Sequence, residues 1–454
     1  MSTAHGTGTT HGTSADLQGF LEETAAALNV PGAVVGVIDG DREIVSTTGV
    51  AAVDTGAAVT ERTLFQIGST SKTFTGTVAM HLVETGAIDL DTRMVEVLPD
   101  FRLADEEALA ELRIRHLLTH SGGFLGDADE RPGWDDDALA RNVATFAELP
   151  QLFPPGTIAS YSNAGIRLLG RVIERVTGET FERAVQRVVF DPLGMSETFF
   201  FPWDVIARPH AVGHVPDGSG AMTTFPHWPL TRDIAPEGGI VSSVRDQLAY
   251  ARFQMRGETS GTTPVSDATR LLMQQPHLAA GPPVDAIGLP WLLGHHGSAR
   301  VVMHGGNIAD TQLSEFVLAP DEDLAVTVLT NSGGGKALGT AVVDWCFRNL
   351  RGIEKAPEKV ELGPADRLDD VVGIYDAGQW HYDVTRAGDA LEFAMVLRAD
   401  IAALGIPARP PLRLRVRADG ALITDAAQPV GRLLDETEGG PELLHVGLRA
   451  VRRR

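Results

Sequence analysis

Apolar positions along this chain recur with two periods, and the period changes with place. Between 15 and 29, Leu17, Phe20, Leu21 and Leu28 fall on or near one helical face. The next two runs, 32–39 and 42–48, flank Gly40-Asp41 and predict two strands joined by a turn. Phe65-Gln66-Ile67-Gly68 is a short apolar approach. After it Phe74, Val78 and Leu82 repeat at four-residue spacing, and Gly86 stands where a helix would stop. From about 90 to 290 the pattern is mostly helical with long loops. The clearest helix there is 163–177, with Ile166, Leu169, Ile173 and Val176 periodic and Gly178 as its end. Runs at 299–303, 312–318 and 324–330 predict three more strands, and 339–350 a closing helix.

Strands at both ends of this unit, with helices between, predict an α+β domain. One antiparallel sheet would be built from both chain ends, with a helical lobe beside it. Beyond it the texture changes. Trp380, Tyr382 and Val384 alternate with polar residues, as do Leu391, Phe393, Met395 and Leu397. Leu412, Leu414 and Val416 alternate with arginines, and Leu444, Val446 and Leu448 form a last run. Period-two patterning of this kind predicts a small all-β domain, a barrel or a sandwich. The divisions expected are a disordered tail at 1–14, a first domain at 15–352, a linker at 353–368 and the β domain at 369–454.

Charge and cysteine usage narrow the partners. The 454 residues carry a net charge of −22, which opposes binding to nucleic acid and to anionic membrane surfaces. The single cysteine, Cys346, lies in an apolar run, so an intramolecular disulfide is impossible and a buried thiol is expected. The Gly/Thr/His-rich start has no apolar core, and no run reaches membrane-spanning length, so a soluble cytoplasmic protein is expected. His5 and His11 belong to that start and are assigned to a disordered tail.

The chemistry begins at Ser69-Thr70-Ser71-Lys72. A serine three residues before a lysine puts both side chains on one helix face, where the amine can take the hydroxyl proton. Only four residues of the chain are lysine, and Lys72 is the only one before Lys336. Arginine serves elsewhere as the surface cation, but arginine stays protonated and cannot act as a base. Two further motifs follow in order. Tyr161-Ser162-Asn163 stands just before the clearest helix, and its first and third side chains point the same way from an extended segment. His304-Gly305-Gly306-Asn307 ends an apolar run, and its glycines allow close backbone approach of a ligand to a strand. His116 and His120, and His210 and His214, have four-residue spacing without a convincing third ligand, and no metal or other cofactor is expected.

Taken together the three motifs resemble those of the serine β-lactamase and penicillin-binding-protein superfamily, in particular the branch of class C β-lactamases, D-aminopeptidases, D,D-carboxypeptidases and family VIII esterases. The stretches 114–123, 154–156 and 236–243 are similar to segments that shape that family's helical lobe and returning strand. The resemblance covers about 15–350, and the β domain resembles the lipocalin-like C-terminal domain of some members. It implies a β-lactamase-like sheet flanked by helices. It implies a nucleophile at Ser69, proton transfer by Lys72 and Tyr161, and orientation of Lys72 and of a substrate amide by Asn163. His304, Gly305, Gly306 and Asn307 would face the substrate, with the N–H groups of Ser69 and Asn307 as an oxyanion hole.

The third motif departs from the β-lactamase pattern, since an imidazole replaces a permanent cation. That weakens the case for a penicillin carboxylate and favours the esterase, D-aminopeptidase, acyltransferase and thioesterase branches. The expectation is a serine hydrolase or acyltransferase acting on a small ester or a D-residue-containing amide or peptide. The alternatives are a peptide-cyclising thioesterase with a carrier protein as partner, a β-lactamase, and a silent peptidoglycan-fragment sensor.

Overall fold

A computed structural model describes residues 13–128, 133–355, 361–363, 368–403, 409–434 and 441–454. The expected tail, with His5 and His11, and most of the expected linker lie outside the described residues.

A nine-stranded antiparallel sheet forms the spine of the first unit. Its centre pairs Gly32–Asp39 with Leu324–Thr330, a segment from the other end of the domain. Gln312–Ala319 and Ala299–Ile308 follow outward on that side, and Arg42–Ala52 lies on the other. The central strand is buried along its whole length because both faces are covered. Ala33, Val35 and Val37 point to the helices Ser14–Ala27 and Gly335–Cys346, whereas Val34 and Ile38 join the core of the helical lobe. Gly36 lies where an added Cβ would meet Val244 and Leu248 of the helix Val244–Arg256, so the missing side chain sets the depth of that packing.

Three short strands, Leu278–Gly281, Val284–Ile287 and Leu292–His296, extend the sheet where the sequence pattern reads as helix and loop. Each is too short to show a period of its own. The strand expected at 299–303 continues to Ile308, through His304-Gly305-Gly306-Asn307. The helix expected at 339–350 begins earlier, at Gly335, and passes into a wider turn over Phe347–Arg351.

The C-terminal domain is a closed eight-stranded barrel running from Gly373–Asp376 to Arg449–Arg453. Tyr375, Tyr382, Val384, Leu391, Phe393, Leu414, Leu422, Leu444, Val446 and Val451 fill its interior. Its last hairpin docks on the first domain at 159–161, where Tyr161 N–H donates to Leu448 O at 2.7 Å. Ala450 N–H donates to Ser160 Oγ at 3.0 Å, and His445 Nε2–H to Ala159 O at 2.9 Å. Among the described residues no helix is long and apolar enough to cross a membrane.

Candidate active site

Ser69 sits in a single 3-10 turn, Gly68–Thr70, that runs straight into the helix Ser71–Glu84. That helix is buried on nearly every side, between the sheet and the helical lobe. Its threonines return their hydroxyls to the backbone: Thr73 bonds Thr70 O at 2.8 Å and Thr77 bonds Thr73 O at 2.9 Å. Lys72, fully buried, is therefore held with few choices. Its Nζ lies 2.9 Å from Ser69 Oγ and 2.7 Å from Glu237 O. Burial pulls its pKa down to about 7, with Glu237 opposing and Arg449 assisting. A substantial neutral fraction at ordinary pH leaves a lone pair for the Ser69 proton.

The Glu237 carbonyl is itself fixed from below. Glu237 makes a buried ion pair with Arg167 on the helix Asn163–Thr177, at 2.5 Å from Nε. Arg167 also donates to Asn142 Oδ1 at 3.2 Å, and Thr75 Oγ1 donates to the neighbouring Pro236 O at 2.6 Å.

Tyr161 lies across the site, in the extended residue pair leading to Ser162. Ser162 caps the following helix by accepting from Gly165 N–H at 2.9 Å. The phenol lies near enough to Ser69 for the serine to lower its pKa. Its ring has the Lys72 ammonium 5.0 Å from one side and the Arg449 guanidinium 5.0 Å from its centroid as well. Burial raises the phenol pKa; Ser69 and Arg449 oppose this only in part. The group is therefore a proton donor at neutral pH. His120 packs on the same ring at 4.6 Å and accepts from Ser162 N–H at 3.2 Å, so its proton is on Nε2.

Arg449 comes from the barrel. It pairs with the buried Asp127 at 2.5 Å, and Asn163 Nδ2 donates to the same carboxylate at 2.8 Å. Asn163 is thus turned toward Asp127, and its Oδ1 is a buried acceptor with no partner among the described residues. Asn163, expected to orient Lys72, has its Nδ2 on Asp127, and the carbonyl that Lys72 Nζ bonds is that of Glu237.

The third wall is the open end of the strand Ala299–Ile308. Its neighbour Leu292–His296 pairs only as far as Met303, so His304 to Asn307 have the strand Gln312–Ala319 on one side and the serine turn on the other. Gly306 makes this possible: a Cβ there would lie 1.9 Å from Ile67 O. Gly68 has φ +52°, and a Cβ on it would lie 3.0 Å from Asn307 N, so the backbones of the serine turn and Asn307 are in contact. Such an arrangement can present two N–H groups to one oxygen. His304 is buried; its Nδ1–H donates to Gly305 O at 2.8 Å, which leaves Nε2 as a lone-pair acceptor with no partner among the described residues. Burial and Lys72 lower its pKa to about 3, so the imidazole is neutral.

All eight sequence-predicted residues, Ser69, Lys72, Tyr161, Asn163, His304, Gly305, Gly306 and Asn307, line or adjoin one site. Sequence reasoning missed Asp127, Arg449 and the pair Arg167–Glu237. The only signal for Glu237 is its place in Pro236-Glu237-Gly238-Gly239, and Arg449 is one arginine in a run of them. His116 Nδ1 accepts from Arg113 N–H, and His214 bonds Asn331 O and Val53 N–H, so these histidines serve local backbone.

The Beta-lactamase family profile matches residues 17–342, most of the chain, and the chain belongs to that family. It is 32% identical to penicillin-binding protein 4 of Amycolatopsis lactamdurans over 337 residues, 71% of this chain and 86% of the relative. The crystal structure of SurE superposes with a TM-score of 0.76 at 27% identity, covering 97% of this chain and 99% of that one. SurE has also been solved with D-Leu. The D-amino acid amidase of Ochrobactrum anthropi SV3 shares the fold over 72% of this chain and 96% of its own, with a TM-score of 0.61 at 22% identity. The protein is a serine hydrolase of the β-lactamase fold.

Proposed function

We propose that Ser69 is the nucleophile of an acyl-transfer reaction on a small ester or a D-residue-containing amide or peptide, with water as acceptor. The observation that carries this reading is the 2.9 Å contact between Ser69 Oγ and a fully buried Lys72. Neutral Lys72 takes the hydroxyl proton as Oγ attacks the acyl carbon. The N–H groups of Ser69 and Asn307 receive the charge that develops on the carbonyl oxygen. Tyr161, kept protonated by burial, gives its proton to the leaving amine, alcohol or thiol, and Lys72 ammonium recharges the phenol. Water then attacks the acyl carbon, losing a proton to Lys72; the bond to Ser69 Oγ breaks, the acid is released, and the Lys72 ammonium returns the proton to Oγ. Asn163 Oδ1 and His304 Nε2 are acceptors for substrate N–H groups. The preference for a D residue is supported by SurE, solved with D-Leu, which aligns over 97% of this chain and 99% of its own.

Transfer to an amine, as in a cyclising thioesterase fed by a carrier protein, is the second reading. The observation that favours it is the barrel beside the site, which brings Arg449 against Tyr161. A β-lactamase role is disfavoured by the neutral His304.

The test is intact-mass spectrometry with D- and L-amino-acid p-nitrophenyl esters and amides. A single adduct absent in Ser69→Ala, formed faster from the D series, is expected. An adduct that survives Ser69→Ala, or an equal rate from both series, sinks the reading. A peptidyl thioester with a free amino terminus separates hydrolysis from cyclisation by the mass of the released product.

A further inference from the structure

The oxyanion side of the site is tied to the barrel by side chains for which the reaction above has no use. Asn307 stands one residue before the end of its strand, and the chain then turns through Ala309 and Asp310 with φ of 49° and 56°. Two adjacent non-glycine residues in the left-handed region are strained, and such a turn persists only where its surroundings hold it. The hold is visible. Asn307 Nδ2 donates to Asp310 Oδ1 at 2.6 Å, and Asp310 N–H donates back to Asn307 Oδ1 at 2.8 Å. Arg409, from the barrel side, then grips both oxygens of the Asp310 carboxylate, Nε to Oδ2 at 2.7 Å and Nη2 to Oδ1 at 2.8 Å. A two-bond fork of this kind fixes orientation as well as distance, which sets it apart from an ordinary exposed ion pair.

The turn held in this way carries the Asn307 N–H, whose nitrogen would lie 3.0 Å from a Cβ on Gly68, the residue before Ser69. A small rotation of the turn therefore changes the aim of that N–H at the serine. On the opposite wall a second barrel arginine, Arg449, grips Asp127 beside Tyr161. The barrel thus holds both halves of the site, one arginine to each.

We propose that Arg409 is a positioning residue. Through Asp310 and the Asn307 side chain it aims the Asn307 N–H at the acyl oxygen, so that seating of the barrel and completion of the oxyanion hole are one event. This inference rests on the reading of Ser69 and Asn307 given above. Its rival is that Arg409 only latches the barrel and governs access.

The two separate on binding of a phenylboronic acid. Boron adds to the serine oxygen as a tetrahedral adduct that places one oxygen in the hole. A latch changes its association and dissociation rates alike and leaves the inhibition constant unmoved, whereas a positioning residue changes the constant itself. The experiment uses the full chain and the variants Arg409→Ala, Arg409→Lys and Asp310→Asn. It measures the pre-steady-state acylation rate with p-nitrophenyl acetate, the boronate association rate and inhibition constant, and the melting temperature. Arg409→Ala and Asp310→Asn are expected to slow acylation about tenfold, short of the loss of a whole donor, and to raise the inhibition constant in proportion. Arg409→Lys falls between, because a point charge replaces a fork. High salt slows the parent and spares the variants, since the pair is partly exposed. The proposal is overturned if acylation stays within twofold of the parent. It is equally overturned if the inhibition constant holds while both rates move, or if only the melting temperature falls. If the parent itself shows no adduct on Ser69, the site reading fails first and takes this inference with it.

Discussion

Lys72 has its pKa set chiefly by burial, at about 7, and that makes it the base whose titration governs the proposed acylation. Its pKa is lowered, so the neutral form gains as pH rises through about 7. Acylation of Ser69 by p-nitrophenyl acetate is therefore expected to be about tenfold faster at pH 8 than at pH 6, following the neutral fraction. Stopped-flow rates across that range check it, and a flat profile would remove Lys72 from the role. Lys72→Arg should nearly abolish acylation at every pH, since it keeps the charge and loses the base. Arg167 belongs to the same apparatus at one remove. It is 1% exposed and faces a Glu237 that is 7% exposed. Arg167→Ala leaves that carboxylate buried without its cation and is expected to cost about 3–5 kcal/mol of stability by urea unfolding. Adding Glu237→Gln should return part of that loss. The serine and lysine were legible in the sequence because scarcity of lysine marked them. The arginine–glutamate pair was not, because a buried and a solvated arginine look alike until the fold places them.

At the scale of elements, the site is the place where a strand end and a helix start are pressed together without side chains between. The sequence named His304 to Asn307 but ended the strand at Met303, because two glycines in succession break the alternation that marks a strand. The physical reason for the glycines lies across the sheet: Gly306 faces Ile67 O, and Ser314 Oγ–H donates to that same carbonyl at 2.7 Å. Gly306→Ala should push the strand from the serine turn and lower the acylation rate by at least about a hundredfold, the scale of losing an oxyanion donor. Circular dichroism should be unchanged, since the sheet on either side keeps its pairing. Acylation near the parental rate would mean that the turn can shift without moving the N–H groups. The helix 163–177 was read to its ends, because an N-cap serine and a left-handed Gly178 are local signals. The three strands between 278 and 296 carry no such signals and become strands only by pairing with the sheet edge.

For the whole molecule, the barrel changes what its sequence suggested. Its alternating pattern gave the fold class, and Tyr382 fills its core as the pattern implies. Read alone, however, that pattern assigns no residue of the domain to the site. The structure instead brings its last hairpin against the motif Tyr161-Ser162-Asn163. Gly447 and Leu448 both have positive φ, a paired turn that suits a hairpin but strains a leucine. That turn delivers the Leu448 carbonyl to Tyr161 N–H and aims Arg449 at Tyr161 and Asp127. No local pattern could announce this, because 322 residues separate Arg449 from Asp127. Two effects of Arg449 can be told apart. As the partner of Asp127 it stabilises the domain contact; as a cation over the phenol it opposes the burial that raises the Tyr161 pKa. Arg449→Met should lose both, lowering the melting temperature and the acylation rate together. Adding Asp127→Asn removes the stranded carboxylate, so the melting temperature should recover while the rate stays low. Recovery of both would reduce Arg449 to a docking contact. Loss of rate that persists in the recovered protein would make the C-terminal barrel part of the catalytic unit, and chains of this family that lack it must then meet the same electrostatic need at Tyr161 by other means.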